Sequence, residues 1–218
     1  TQFDASLYID YIYLDTDERR RFAQVSHEYL IEQVEFTGDE SVAASTSGKN
    51  FTLNFNHPCK ELIWVHRLSA LTLSNRNPVF NFSDTDQNML TSSGSDTFST
   101  GKLQLNGHDR FTVRYADYFR KVQNYEHHTR VPRTLGEFYD SAGTPDSGYR
   151  QQFIYTYSFA LSPEEHQPSG TCNFSRIDNA VLQLTYSGSQ GSQNLKVFAV
   201  NYNVLRIMSG MGGLAYSN

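Results

Sequence analysis

Asn50-Phe51-Thr52-Leu53-Asn54-Phe55 decides the fold of this chain. Phe51, Leu53 and Phe55 alternate with Asn50, Thr52 and Asn54, the period of two that arises when a strand buries one face and wets the other. The same period recurs on both sides. Phe153, Tyr155, Tyr157 and Phe159 form an aromatic ladder turned away from Ile154, Thr156, Ser158 and Ala160. Residues 177–186 and 194–207 read as two further strands, the second one long. Leu62-Ile63-Trp64-Val65 is continuously apolar and predicts a strand covered on both faces. Residues 29–37 read as a strand ending at Gly38, and the strand at 102–105 meets Asn106-Gly107, the favoured pair for a type I′ hairpin.

Ahead of these strands, residues 6–14 are rich in β-branched and aromatic side chains and predict another. Asp15 and Glu18 then stand at capping-box spacing, with acids in the first turn and Arg19 to Arg21 later, so a short helix is predicted over 16–24. Residues 40–49, 74–100 and 125–151 are polar and read as loops, and residues 117–123 as a helical turn or two. Strands with long insertions and little helix imply an all-β fold, an antiparallel jelly-roll β-sandwich with short helices in its connectors. The chain opens at Thr1 on a strand-like segment, so a piece of a longer polypeptide is expected.

With 218 residues, 38% of them apolar and 19% charged, the chain supports a large core and is not compositionally disordered. Its 15 Phe and 14 Tyr favour pleated surfaces and interfaces. The net charge of −5 and the short basic run Arg19-Arg20-Arg21 argue against direct nucleic-acid binding. No apolar stretch approaches the roughly 20 residues of a membrane-spanning helix.

Catalytic and metal motifs break down on inspection. His27-Glu28 would need a second histidine where Ile31 stands. His57 and Cys59 lack spaced third and fourth ligands, as do His127 and His128, so no metal or other cofactor is expected. Glu164 and Glu165 point to opposite sides of an extended chain, and no serine or cysteine is tied to a base. Gly210, Gly212 and Gly213 lack the lysine and helix of a phosphate cradle. Cys59 and Cys172 read as reduced thiols rather than a disulfide framework. Of the sequons at Asn50, Asn81 and Asn173, only Asn81 lies in a long polar loop where a glycan fits. Met208, Met211, Leu214 and Tyr216 are costly to leave in water, which makes 208–218 a candidate intersubunit tail.

Longer segments carry a resemblance. Tyr11-Ile12-Tyr13-Leu14-Asp15 and His27-Glu28-Tyr29-Leu30-Ile31-Glu32-Gln33 stand near the start. Leu53-Asn54-Phe55-Asn56-His57-Pro58, Leu103-Gln104-Leu105-Asn106-Gly107 and Tyr157-Ser158-Phe159-Ala160-Leu161 follow, then the run from Pro168 to Asn179 and the end from Asn201. Together they resemble the major capsid proteins of nucleocytoplasmic large DNA viruses, the algal-virus and iridovirus double jelly-roll family. The resemblance implies that residues 1–15 are the last strand of a preceding jelly roll, 16–28 a helical connector, 29–207 the second jelly roll and 208–218 a glycine-rich tail. It implies a structural protein and not an enzyme: homotrimers with a pseudo-hexagonal outline, tiling the outer icosahedral shell of a virion put together in the host cytoplasm. The implied partners are other copies of the chain, neighbouring capsomers and minor capsid proteins, and host-surface glycans are a further candidate. Aromatics with Asn- and Asp-rich loops also suit an alternative, a carbohydrate-binding β-sandwich of the lectin or adhesion kind.

Overall fold

A computed structural model describes residues 4–69, 82–84, 95–139 and 145–216. They fall into two compact units, one of Thr1–Ile31 with Asn203–Asn218 and the other Glu32–Tyr202. Thirteen strands are described. In chain order they are β1 (His27–Val42), β2 (Gly48–Thr52), β3 (Pro58–Leu68), β4 (Thr100–Leu105), β5 (His108–Asp109), β6 (Arg114–Tyr115), β7 (Arg133–Tyr139), β8 (Pro145–Gln151), β9 (Tyr155–Ser158), β10 (Cys172–Asn173), β11 (Ala180–Thr185), β12 (Gln193–Met208) and β13 (Met211–Leu214). Helix α1 spans Thr16–Gln24, and a wide helical turn at Tyr118–Val122 leads into α2, Gln123–His127.

Two sheets organise the larger unit. One runs β1-β12-β3-β10, with β9 also paired to β3; the other runs β2-β11-β4-β5, with β6 on β4. β12 and β9 pair antiparallel with β3, and β11 pairs antiparallel with β2 and β4. Alternation works as the sequence predicts at 51–55, whereas β9 is buried on both faces. Phe51, Leu53 and Phe55 are buried, and they join Leu62, Trp64, Tyr155, Leu103, Leu182, Leu195 and Val197 in one apolar core. Trp64 stands at its centre with 1% exposure, 5.1 Å from the Phe119 ring and 6.1 Å from Tyr155. Phe98 closes on Tyr155 at 4.6 Å. Such pairs add about 0.5–1.5 kcal/mol each beyond the area they bury. This interlock couples the helical turn carrying Phe119 to both sheets.

Local chemistry explains most boundaries. Asp15 caps α1, its carboxylate accepting from the N–H of Asp17 and Glu18 at 3.1 and 2.9 Å. Asn106 and Gly107 take φ of 51° and 80°, the left-handed pair a type I′ turn requires, and register Leu105 against His108. Gly38 does not end β1. It adopts φ 95°, which a side chain would resist, and the strand continues to Val42, so the loop expected at 40–49 shrinks to 43–47.

Other expectations change in detail. Residues 4–15 form no strand, and all are exposed. The strand period at 6–14 is genuine, but a strand needs a ladder partner and no described segment supplies one. The excursion at 125–151 contains the hairpin β7–β8. The expected glycine-rich tail is a second hairpin: Ser209 and Gly210 turn at φ 53° and 76°, and β13 pairs back on β12 with Met211 opposite Met208 and Leu214 opposite Leu205. Most of the loop expected at 74–100 lies outside the described residues.

Candidate functional site

The larger unit buries several ionisable groups, and each is already engaged. Asp96 accepts from Arg120 Nε and Nη2 at 2.8 and 2.9 Å and from the Tyr155 hydroxyl at 2.9 Å. Burial, with the Asp96 charge beside it, raises the Tyr155 phenol far above its ordinary range and keeps it a neutral donor. Lys60 is 1% exposed; its ammonium lies 2.6 Å from Glu32, donates to the Glu165 carbonyl at 2.9 Å and sits 5.1 Å from the Tyr202 ring centre. His128 lies 2.8 Å from Glu61 and 3.1 Å from Glu164, and those carboxylates hold its imidazole above the ordinary value. His66 is fully buried within 3.2 Å of the Tyr186 hydroxyl, and desolvation lowers its pKa to about 3.

These groups fasten one segment of the chain to another. Lys60 ties β3 to the loop after β9, His128 ties the end of α2 to β3 and to Glu164, and Arg120 ties its helical turn to Asp96. A polar depression is lined by Asp84, Asp96, Ser187, Ser189 and Gln190, yet Asp96 is occupied as described and Asp84 accepts from the Ser95 N–H at 2.7 Å.

The structure brings two of the candidate motifs together, His128 against Glu164, and engages the others elsewhere. His27 lies 3.4 Å from the Arg21 carbonyl, while its neighbour Glu28 receives Arg206 at 2.7 Å. His57 pairs with Glu35 at 3.3 Å, and Cys59 donates its S–H to the Glu61 carbonyl at 3.1 Å. Glu164 accepts from the Thr129 N–H at 3.1 Å, whereas Glu165 contributes its backbone carbonyl to Lys60. Among the described residues, no three His, Cys, Asp or Glu side chains form a metal-ligand set. Gly210 serves the hairpin turn, and Gly212 and Gly213 lie in β13. Asn173 caps a short helical turn by accepting from the N–H of Ser175 at 3.1 Å, and Asn81 lies outside the described residues.

The smaller unit carries a surface of another kind. Leu7, Tyr8, Tyr11, Ile12 and Tyr13 are largely exposed, with Tyr8 at 94% and Tyr13 at 90%. Met208, Met211, Leu214 and Tyr216 are exposed as well, and a shallow groove runs along the β12–β13 hairpin. Exposed apolar patches of this kind mark contact surfaces.

Comparison with known proteins gives this surface its context. A family model described as large eukaryotic DNA virus major capsid protein matches residues 18–213. The chain belongs to that family. It is 55% identical over 219 residues to the major capsid protein of Pyramimonas orientalis virus, covering 98% of this chain and 49% of the relative. It is 44% identical over 296 residues to that of Phaeocystis pouchetii virus, covering 98% and 53%. A quasi-atomic model of the PBCV-1 virus capsid superposes with a TM-score of 0.67 at 38% identity, covering 95% of this chain and 56% of that one. The chain spans about half the length of the curated relatives it matches. These capsid matches make the sandwich an antiparallel jelly roll, as expected from the strand pattern. They lend no support to the carbohydrate-binding alternative.

Proposed function

We propose that this chain is a building block of the outer shell of a large icosahedral DNA virus, acting through shape and contact surfaces and not through catalysis. The observation that carries the reading is the contrast between a packed aromatic core and an apolar surface left bare on a member of the capsid family. Residues 1–15 act as the last strand of a preceding jelly roll, 16–28 connect, and 29–207 form the second roll. The absence of any described ladder partner for 4–15 supports the first assignment. The 208–218 end, with Met208, Met211, Leu214 and Tyr216 exposed, packs against a neighbouring subunit. In its complete form the protein is a homotrimer with a pseudo-hexagonal outline, and many weak symmetric contacts between such units sum to a stable shell. Minor capsid proteins meet that shell from within, assembly occurs in the host cytoplasm, and the negative net charge suits a layer that does not touch nucleic acid.

Native mass spectrometry of a full-length polypeptide carrying this chain tests the reading. Trimers are expected; a strict monomer at micromolar concentration overturns it. A glycan array addresses the rival, since selective binding of one sugar by the isolated chain would restore the lectin reading.

A further inference from the structure

The two cysteines of the chain, far apart in sequence, face each other in the fold. β10 pairs antiparallel with β3, in the register Cys172 to Cys59 and Asn173 to Pro58. The Phe174 N–H donates to the His57 carbonyl at 3.3 Å, which makes 174/57 a hydrogen-bonded rung. Rungs alternate, so 173/58 is unbonded, where the missing N–H of Pro58 costs nothing, and 172/59 is bonded again. Directly opposed residues project to the same face of a sheet. Their Cα atoms in a bonded rung lie about 5.5 Å apart, inside the roughly 4.4–6.8 Å that a disulfide spans. Both thiols are free in the structure.

We infer that Cys59 and Cys172 are a redox-modification site, forming a cross-strand disulfide when the chain meets a low-molecular-weight disulfide such as oxidised glutathione. Cys172 is half-buried and reacts first: its sulfur attacks one glutathione sulfur, the other leaves as the first glutathione thiol, and a mixed disulfide remains. Cys59, fully buried, then attacks the Cys172 sulfur and expels the second glutathione thiol. Two protein thiols are oxidised, one glutathione disulfide is reduced, and the two thiol protons end on the two glutathiones. The step requires Cys59 to give up its hydrogen bond to the Glu61 carbonyl, and burial raises both thiols above their ordinary values, so closure is slow. The bond would fasten β10, only two residues long, onto the central strand β3. It would also close a long loop of chain, which favours the folded state.

The test equilibrates the 218-residue chain in glutathione buffers of rising oxidised-to-reduced ratio, quenches with acid, unfolds and alkylates with N-ethylmaleimide. Intact mass is the readout. A growing fraction lighter by two hydrogens and carrying no maleimide is expected, with a thermal midpoint several degrees above that of the reduced chain. Cys172→Ser should leave Cys59 unmodified and abolish that rise. Arrest at a glutathione adduct on Cys172, two maleimides at every ratio, or a disulfide-linked dimer on a non-reducing gel would each overturn the assignment.

Discussion

Tyr155 and Tyr13 are the same residue in two regions with opposite fates. Tyr155 is 0% exposed, ringed by Trp64, Phe98 and His66, its hydroxyl spent on Asp96. Tyr13 stands in water between Ile12 and Leu14. Both lie in strand-like stretches, so composition does not separate them. The separating factor is a ladder partner: β9 is paired with β3, whereas 4–15 has none among the described residues. Pairing orients a side chain, and orientation lets it be buried. Where aromatic sequence is left unpaired, the chain carries an unsatisfied demand for another surface.

The heaviest blow to this contrast is Trp64→Ala. It removes the ring on which Phe119 and Tyr155 converge and should cost about 3–5 kcal/mol in denaturant unfolding. A loss under about 1 kcal/mol would mean the interior is no better packed than the exposed segment.

Acid should act next, through His66. Its folded pKa of about 3 lies below the ordinary imidazole value, so the unfolded chain takes up a proton that the folded one refuses. Stability is therefore lost as pH falls below about 6.5, with a limiting slope of about 1.4 kcal/mol per pH unit that ends near the folded value. His66→Gln should flatten that limb while keeping a partner for the Tyr186 hydroxyl. An unchanged limb would place the acid sensitivity elsewhere.

Asp96→Asn sharpens the same contrast from the polar side. It leaves Arg120 without its bidentate carboxylate and should cost about 2 kcal/mol, less than a fully buried pair because Asp96 keeps some contact with water. His128→Gln is smaller, at about 1 kcal/mol or less, and opposite to His66 in pH dependence. The raised pKa of His128 contributes stability below the ordinary imidazole value that is lost as pH rises through the higher folded one. The variant should weaken that alkaline loss in a pH series of thermal midpoints.

How far the sequence revealed this depended on the range of the interactions. The alternation at Phe51, Leu53 and Phe55 and the Asn106-Gly107 turn are local, and the structure has them as read. The hairpin at 208–214 was hidden because Gly210 serves a turn as readily as a loose end, and only pairing with β12 decides between them. Lys60 and Glu61, charged residues leading into Leu62-Ile63-Trp64-Val65, were a visible signal of buried ion pairs. Their partners Glu32 and His128 stand far off in sequence, and only the fold brings them together. The opposition of Cys59 and Cys172 was invisible for the same reason.

The smallest effect on stability tests the other half of the comparison. Tyr11→Ser with Ile12→Ser alters two side chains that touch solvent, so the unfolding free energy should stay within about 0.5 kcal/mol of the parent. Association is where the change should appear. Exposed apolar strand-like residues seek a sheet edge, and the parent chain should self-associate in light scattering as concentration rises. The double variant should remain dispersed over the same range. If it unfolds more easily by a kcal/mol or more, residues 7–14 are buried in solution and their exposure is not what sets them apart from Tyr155. If it is as stable as the parent and still associates equally, the segment is inert, and the surface that draws copies together must be sought at Met208, Met211, Leu214 and Tyr216 instead.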